Sequence, residues 1–263
     1  MELSSEILER LKGFSLAPIS LGESGAAVWR CSSMLSPVRY LKAASLSTAL
    51  GLEGEAERLR WMRQNGLSVP VVVDYDCVDE TEYLLLGEVA GAPASDARWT
   101  PSLPEVIRAI GGELARLHRA SVASCPFDQR LGVQIGAARR RIDRGLVRED
   151  EFDEIRLGRG VEELFSELIA STPASEDVVL THGDFCLPNI ILRRAHDGSV
   201  EVAGLVDCGR AGRADRYQDL ALAIRSIGGN FGEEWIAPFL NAYGLPALDE
   251  EKLRFYTLLD EFF

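Results

Sequence analysis

One polar loop, Thr181-His182-Gly183-Asp184-Phe185-Cys186-Leu187-Pro188-Asn189, lies between two apolar runs of the sequence. Val178-Val179-Leu180 precedes the loop and Ile190-Ile191-Leu192 follows it. Short apolar runs bounded by turn residues are typical of buried strands, so we expect the core to hold the loop at both ends. The loop would then present an imidazole, a carboxylate and a side-chain amide from a fixed position.

A second carboxylate follows the next predicted strand. The apolar segment 200–206 ends at Asp207, which is followed by Cys208-Gly209-Arg210. Metal-assisted phosphoryl transfer needs one oxygen to orient or deprotonate the acceptor hydroxyl and other oxygens to hold Mg²⁺. A single Asp or Asn in a loop is usually turn chemistry, but the joint placement favours Asp184 as catalytic base and Asn189 and Asp207 as Mg²⁺ ligands.

The pattern continues beyond Asp207 through Ala214-Asp215-Arg216-Tyr217-Gln218-Asp219-Leu220-Ala221. Together with His-Gly-Asp, four residues and Asn, it resembles the aminoglycoside 3'-phosphotransferase family of small-molecule kinases, from about residue 14 to Phe263. The resemblance implies a nucleotide-dependent enzyme that phosphorylates the 3'-hydroxyl of kanamycin- or neomycin-type antibiotics and so confers resistance. The phosphoryl donor would be ATP, with GTP as an alternative, and Mg²⁺ would be the metal.

Composition restricts the partners. The chain has 263 residues, is 46% hydrophobic and carries a net charge of −13, which disfavours nucleic acid and anionic membranes and suits a cationic small molecule. Acidity also simply favours solubility, so charge alone does not choose between these. The five cysteines are scattered, without Cys-x-x-Cys spacing, which is typical of reduced thiols in a cytoplasmic protein. We predict no signal peptide and no membrane span.

The order of elements predicts an α+β, protein-kinase-like fold with two lobes. Strand patterns cover 14–19, 26–31, 38–42, 69–75 and 81–89, and helical patterns cover 3–12, 50–64, 102–118, 131–145, 151–170, 215–228, 233–243 and 250–262. Ser4 or Ser5 is a plausible cap for the first helix, and Ser102 with Glu105 matches a capping box. Gly and Pro in 87–93 predict a hinge there. We therefore expect a small β-sheet lobe, 1–90, and a larger, mainly helical lobe, 91–263.

The N-terminal lobe carries candidate nucleotide contacts. Lys42 follows an apolar pair on a predicted strand, and Glu55 on the following helix is its candidate partner, although Glu53 and Glu57 compete for that role. The small-residue loop 21–27 contains Ser24 and could approach phosphates through its backbone. The resemblance adds further contacts, an aromatic stacked on adenine and a hinge backbone that bonds the base: Tyr40, Gly87 and Val89.

The acceptor site is assigned through the resemblance alone. It implies acids on a helical lid, an arginine that orients carboxylates, and an acidic chain terminus ending in a carboxylate: Asp153, Glu154, Arg210, Asp260, Glu261 and Phe263. The chain departs from the family where acids are expected after Arg225, because it has Ser226-Ile227-Gly228-Gly229 instead. We expect this change to narrow or weaken the recognition of some amines.

Other polar residues have structural interpretations. His182 is expected to brace the loop, His118 to pack at a helix end, and Asp219 to tie the loop to a helix. A kinase for another amine, sugar or macrolide is the alternative within the same class of enzyme, and a catalytically silent nucleotide-binding protein is the alternative from another functional class. The joint retention of Lys42, Asp184 and the two metal ligands argues against the silent protein. Nucleotide preference, drug range and oligomeric state stay open.

Overall fold

The computed structural model describes residues 3–19, 26–46 and 51–263, and it divides into two compact units. The first unit comprises Met1–Ala92 and Ala203–Gly209, and the second comprises Pro93–Val202 and Arg210–Phe263. The sequence placed the division near residue 90 and assigned all later residues to one lobe. The short segment that carries Asp207 instead groups with the N-terminal residues.

A five-stranded antiparallel sheet forms the centre of the first unit, in the order β1-β2-β3-β5-β4. Its strands are β1 (Ser15–Ile19), β2 (Ala27–Ser32), β3 (Arg39–Ser45), β4 (Val72–Val78) and β5 (Thr81–Gly87). Two helices accompany it, α1 (Ser5–Arg10) and α2 (Leu52–Gln64). Ser4 caps α1 as predicted, because its hydroxyl accepts a hydrogen bond from the Ile7 amide at 3.3 Å.

The two faces of this sheet carry different side chains, because residues alternate between the faces along each strand. Leu41, Ala43 and Tyr83 belong to a core cluster that also contains Ile7 of α1 and Leu11, which follows this helix. Successive strand residues point to opposite faces. Lys42 therefore points away from that cluster, and its side chain contacts α2.

The second unit is mainly helical. Its helices are α3 (Leu103–His118), α4 (Leu131–Asp143), α5 (Val161–Ala170), α6 (Tyr217–Phe231), α7 (Ile236–Tyr243) and α8 (Glu250–Asp260). Its strands include the antiparallel pair β7 (Val178–Thr181) and β10 (Gly212–Asp215), and β8 (Ile190–Arg194). The strands β6 (Ala92–Pro93) and β9 (Val200–Leu205) run across the boundary of the two units.

Helices α3 and α7 pack closely at Gly111. A Cβ atom at this position would lie 2.7 Å from the Ala242 Cβ and 2.9 Å from the Phe239 carbonyl oxygen. Only glycine permits this separation. The packing brings His118, the last residue of α3, to Tyr243, the last residue of α7, with the His118 Nδ1 2.8 Å from the Tyr243 hydroxyl. This agrees with the predicted helix-end position of His118.

Several predicted boundaries were wrong for local reasons. The segment 151–160 is not helical: a 3-10 turn covers Glu149–Glu151 and α5 begins only at Val161. Gly158 has φ +83°, which breaks a right-handed helix. The Ser102 side chain does not cap α3, because its hydroxyl accepts a hydrogen bond from Arg194 at 2.9 Å. Strand β10 was not predicted. Within the described ranges, no helix combines the length and apolar character needed to cross a bilayer.

Candidate active site

Lys42 on β3 is the centre of a buried ionic group in the first unit. Its Nζ lies 2.8 and 2.9 Å from the two carboxylate oxygens of Glu55 and 2.9 Å from Asp207 Oδ1. The side chains of Lys42 and Glu55 are only 14% and 4% exposed. Burial alone would lower the pKa of Lys42, but the charges of Glu55 and Asp207 outweigh it and raise that pKa. The structure thus selects Glu55 over Glu53 and Glu57 as the partner of Lys42.

Asp207 is held in an unusual backbone conformation. Its φ is +61°, a left-handed value that is rare for residues other than glycine. The Asp207 side chain is 40% exposed, although one of its carboxylate oxygens contacts Lys42. A strained polar residue with an accessible carboxylate is a frequent feature of functional sites. The geometry is compatible with the predicted metal-ligand role of Asp207.

The other predicted nucleotide contacts lie on or near the same sheet. Tyr40 and Lys42 are two residues apart on β3 and so share its face. Gly87 ends β5, where its amide donates to the Val71 carbonyl at 2.8 Å. Val89 follows it, half-buried against the backbone of Gly204. Ser24 lies outside the described residues.

In the second unit, Asp219 of α6 clamps the polar loop. Its two carboxylate oxygens accept hydrogen bonds from the backbone amides of His182 at 2.8 Å and Gly183 at 2.7 Å. His118 Nε2 lies 3.1 Å from the same carboxylate. Because a carboxylate only accepts, this nitrogen carries the proton. The predicted role of Asp219 as a tie between loop and helix agrees with this geometry.

The loop turns at Gly183, which has φ +86°. A Cβ atom there would lie 2.2 Å from the Arg210 carbonyl oxygen, so no other residue fits without backbone movement. Buried His182 braces the turn, as predicted, since its Nδ1 accepts the Asp184 amide at 3.2 Å. These contacts fix the direction in which the Asp184 side chain projects from the loop.

Asp184 and Asn189 are in direct contact within the loop. The Asn189 side-chain nitrogen donates to Asp184 Oδ2 at 2.8 Å and to the Asp184 carbonyl at 3.1 Å. The amide oxygen of Asn189 is consequently the atom that remains for a cation. Ser226 of α6 holds the far part of the loop, where its hydroxyl accepts the Leu187 amide at 3.0 Å. An acid was expected in this part of the sequence, and Ser226 stabilises the loop there instead.

The donor chemistry fits Mg²⁺, which prefers a few carboxylate or carbonyl oxygens and completes its shell with phosphates and water. Asn189 offers an amide oxygen and Asp207 a carboxylate. Across the described ranges, no group of three or more His, Cys, Asp and Glu residues could hold a metal by itself.

The predicted acceptor acids lie among arginines. Asp260 accepts a hydrogen bond from Arg210 Nη1 at 2.9 Å and also pairs with Arg225. Burial alone would raise the pKa of Asp260, but the two guanidinium groups outweigh it and lower that pKa. The predicted orienting role of Arg210 is compatible with this contact. Asp260 is therefore ionised and fixed in place.

Glu261 has a different environment. It accepts hydrogen bonds from Arg156 Nη1 at 2.9 Å and from the Asp153 amide at 3.2 Å. Burial first, and the neighbouring Asp153 carboxylate second, raise the pKa of Glu261 to about 7. Asp153 thus lies beside Glu261, but in a turn segment and not in the predicted helix. Glu154, in the same turn segment, is exposed.

The last two residues are held by Arg141 of α4. Its guanidinium donates to the carbonyl oxygens of Phe262 at 2.6 Å and Phe263 at 2.8 Å. Phe262 is fully buried, and the Phe263 ring lies 4.5 Å from the Arg210 guanidinium carbon. The buried Phe262 ring therefore anchors the last residues in the second unit.

Sequence reasoning missed the positively charged partners of these acids and one buried acid: Arg141, Arg156, Arg225 and Glu82. It also assigned Ser226 no structural role. The sequence did contain a signal for the role of Ser226. This residue lies seven positions, or two helical turns, after Asp219 and therefore shares the face of α6 that Asp219 occupies. A second signal was Glu82, a charged residue in register with the inward-facing Leu84 and Leu86 of β5.

Comparison with known proteins identifies the family of the chain. Residues 15–256 match the phosphotransferase enzyme family. An aminoglycoside 3'-phosphotransferase from Streptomyces fradiae is 38% identical over 255 residues, which cover 93% of this chain and 94% of that protein. A crystal structure of an aminoglycoside-3'-phosphotransferase of type VIII is 38% identical, with a TM-score of 0.89 over 98% of this chain and 97% of the other.

A third similar protein is the aminoglycoside phosphotransferase APH(3'')-Id from Streptomyces rimosus, in complex with ADP and streptomycin. It is 29% identical, with a TM-score of 0.80, and the match covers 97% of this chain and 95% of the other. The predicted α+β, kinase-like fold class is confirmed by these matches. The chain belongs to the phosphotransferase enzyme family, within its aminoglycoside 3'-phosphotransferase members.

Proposed function

We propose that this protein transfers the terminal phosphoryl group of ATP, with GTP as an alternative donor, to the 3'-hydroxyl of an aminoglycoside. The observation that carries the proposal is the fixed geometry of Asp184, which Asn189 contacts directly in a loop clamped by Asp219. Asp184 would accept the hydrogen bond of the acceptor hydroxyl and take its proton as the phosphoryl group arrives.

The first unit would bind the nucleotide. Lys42, fixed by Glu55, supplies a positive charge for phosphate oxygens, and Tyr40 supplies an aromatic face for the base. Asn189 of the second unit and Asp207 of the first would each offer an oxygen to Mg²⁺, which would neutralise phosphate charge. Gly87 and Val89 would offer backbone groups to the base edge, and Ser24 would approach the phosphates.

The second unit would bind the aminoglycoside. Such a molecule is polycationic and has little apolar surface, so its affinity must come from charge-assisted hydrogen bonds to carboxylates. We assign these to side chains of the turn segment and of the last residues, with Arg210 as their support and Phe263 beside them: Asp153, Glu154, Asp260 and Glu261. Resistance follows from the covalent change to the drug. We place the enzyme in the cytoplasm, which the five cysteine thiols support.

Coupled ADP-release assays test the proposal. The panel is kanamycin, neomycin, a 3'-deoxy aminoglycoside, streptomycin, choline and a macrolide, and NMR of the product locates the phosphate. We expect turnover of the two 3'-hydroxylated drugs and poor turnover of the 3'-deoxy compound, which lacks the reacting oxygen. Turnover of streptomycin alone would instead support 3''-phosphorylation, the second candidate, which the similarity to the streptomycin-bound protein favours.

Asp184→Ala tests the catalytic base. We expect kcat to fall by roughly 10²–10⁴-fold, the usual contribution of a general base, with ADP affinity nearly unchanged. Steady-state kinetics and calorimetric ADP titration measure the two quantities. Turnover within about tenfold of the original enzyme would show that Asp184 is not the base.

A further inference from the structure

Helix α2 begins without a cap of its own. The residue at its N-cap position, Gly51, has φ +53° and no side chain that could accept the first amides of the helix. Those amides are instead bound by Glu82 of β5. Its carboxylate accepts the Leu52 amide at 3.2 Å and the Glu53 amide at 3.0 Å.

Glu82 is itself fixed. The residue is 4% exposed, and its Oε1 also accepts the Tyr75 hydroxyl at 2.9 Å. Burial first, and then Glu82, raise the pKa of Tyr75, so this phenol keeps the proton that it donates. Antiparallel pairing places Glu82 opposite Ala44 on β3, two residues from Lys42 and on the same face. The strand that carries Lys42 and the acid that caps α2 are thus adjacent in one sheet.

The helix that Glu82 holds carries Glu55. This residue lies three positions after Leu52, and its amide donates to the Gly51 carbonyl at 3.2 Å, so it belongs to the capped first turn. Both Glu55 oxygens contact Lys42. A negative charge at a helix N-terminus is also favourable, because the first amides carry partial positive charge. A shift of this first turn would move Glu55 relative to the lysine.

We propose that Glu82 is a positioning residue for the Lys42–Glu55 pair: by capping α2 from the sheet, it fixes Glu55 where it holds Lys42 for the nucleotide phosphates. The inference rests on the proposed nucleotide-binding role of Lys42. It adds a residue that touches neither the lysine nor the nucleotide and acts through the first turn of α2.

Glu82→Gln is the test variant, since it keeps the size of the side chain but places an NH₂ group against amide donors. A misplacement of about 1 Å can cost about 10²-fold in rate, so we expect the nucleotide KM and the ADP Kd to rise by about tenfold. The aminoglycoside KM should be unchanged. Leu59→Val is the matched control: it removes buried volume from the same helix, 0% exposed, and should lower Tm without changing ADP affinity.

A double-mutant cycle separates positioning from mere stability. If Glu82 acts through Glu55, Glu82→Gln should change ADP affinity little in a Glu55→Gln background. Additive effects, or an ADP Kd for Glu82→Gln equal to that for Leu59→Val, would overturn the inference. Lys42→Met tests the role on which it rests. Unchanged ADP affinity in Lys42→Met contradicts the proposed function, whereas reduced affinity there with normal affinity in Glu82→Gln contradicts only the inference.

Discussion

Glu82 in the first unit and Asp219 in the second have the same hydrogen-bonding pattern. Each buried carboxylate accepts two consecutive backbone amides, Leu52 and Glu53 in one case and His182 and Gly183 in the other. Each also has a ring-bearing third partner, Tyr75 or His118. Two distant parts of the chain thus use one device to fix backbone beside a functional side chain.

The difference lies in what each acid holds. Glu82 binds the start of a helix whose other residues keep their own hydrogen bonds, so its loss should shift Glu55 with the rest of a rigid element. Asp219 binds the two loop amides that directly precede Asp184, so its loss should release the backbone that positions this residue. We therefore expect Glu82 to act on nucleotide affinity and Asp219 to act on the chemical step.

Among the variants that test this contrast, Asp219→Asn should have the largest effect. We expect kcat to fall by about 10²-fold, because the loop amides lose an acceptor and Asp184 loses its position. The nucleotide KM should change little. Steady-state kinetics in both substrates provide the measurement.

Asp215→Asn is the matched control for this prediction. Asp215 is also fully buried in the second unit and accepts two backbone amides, Asp177 at 2.8 Å and Tyr217 at 2.9 Å, but neither belongs to the loop. An equal loss of kcat in Asp215→Asn at matched Tm would mean that general destabilisation explains the effect, and the contrast between the two clamps would be lost.

A smaller effect should come from Ser226→Ala, which removes the acceptor of the Leu187 amide. A neutral hydrogen bond contributes about 0.5–1.5 kcal/mol, so we expect kcat to fall by about three- to tenfold. Ser166→Ala is the control, because the Ser166 hydroxyl donates to a carbonyl of its own exposed helix. If the two variants have the same kcat, the far end of the loop does not need α6.

The smallest effect should come from the pH dependence of Glu261. Its pKa is raised to about 7 in the folded protein, above the ordinary value of 4.5. The folded state then binds the proton more tightly, so the stabilisation is complete below pH 4.5 and is lost as pH rises through 7. The Tm of the original protein relative to Glu261→Gln should fall between pH 5.5 and 8.5. A constant difference would show that Arg156 keeps Glu261 ionised throughout.

The sequence was informative where chemistry and local pattern coincide. Asp184 and Asn189 lie in one loop between two strands and precede Asp207, so their joint placement selected them, whereas Lys42 needed the family resemblance as well. The choice of Glu55 needed the structure, because Glu53, Glu55 and Glu57 are all on one helix and their orientation depends on how that helix packs.

The remainder depends on contacts between distant residues. The Ser102 motif predicted a local cap, but the Ser102 hydroxyl accepts a hydrogen bond from Arg194. These two residues are far apart in the sequence, so no local pattern could predict their contact. The arginines around Asp260 and Glu261 belong to separate helices and turns, so their pairing becomes visible only after folding. The first half of the helix predicted over 151–170 failed because the left-handed backbone of Gly158 outweighs the apolar spacing.

The left-handed backbone of Asp207 has a consequence for directed evolution. A residue with a Cβ atom costs about 1 kcal/mol or more in this conformation, whereas glycine adopts it freely and asparagine and aspartate more readily than most. In a library screened for thermal tolerance alone, glycine at position 207 would relieve the backbone but would also remove the carboxylate that contacts Lys42. Heat selection of this protein must be alternated with antibiotic selection to retain that acid.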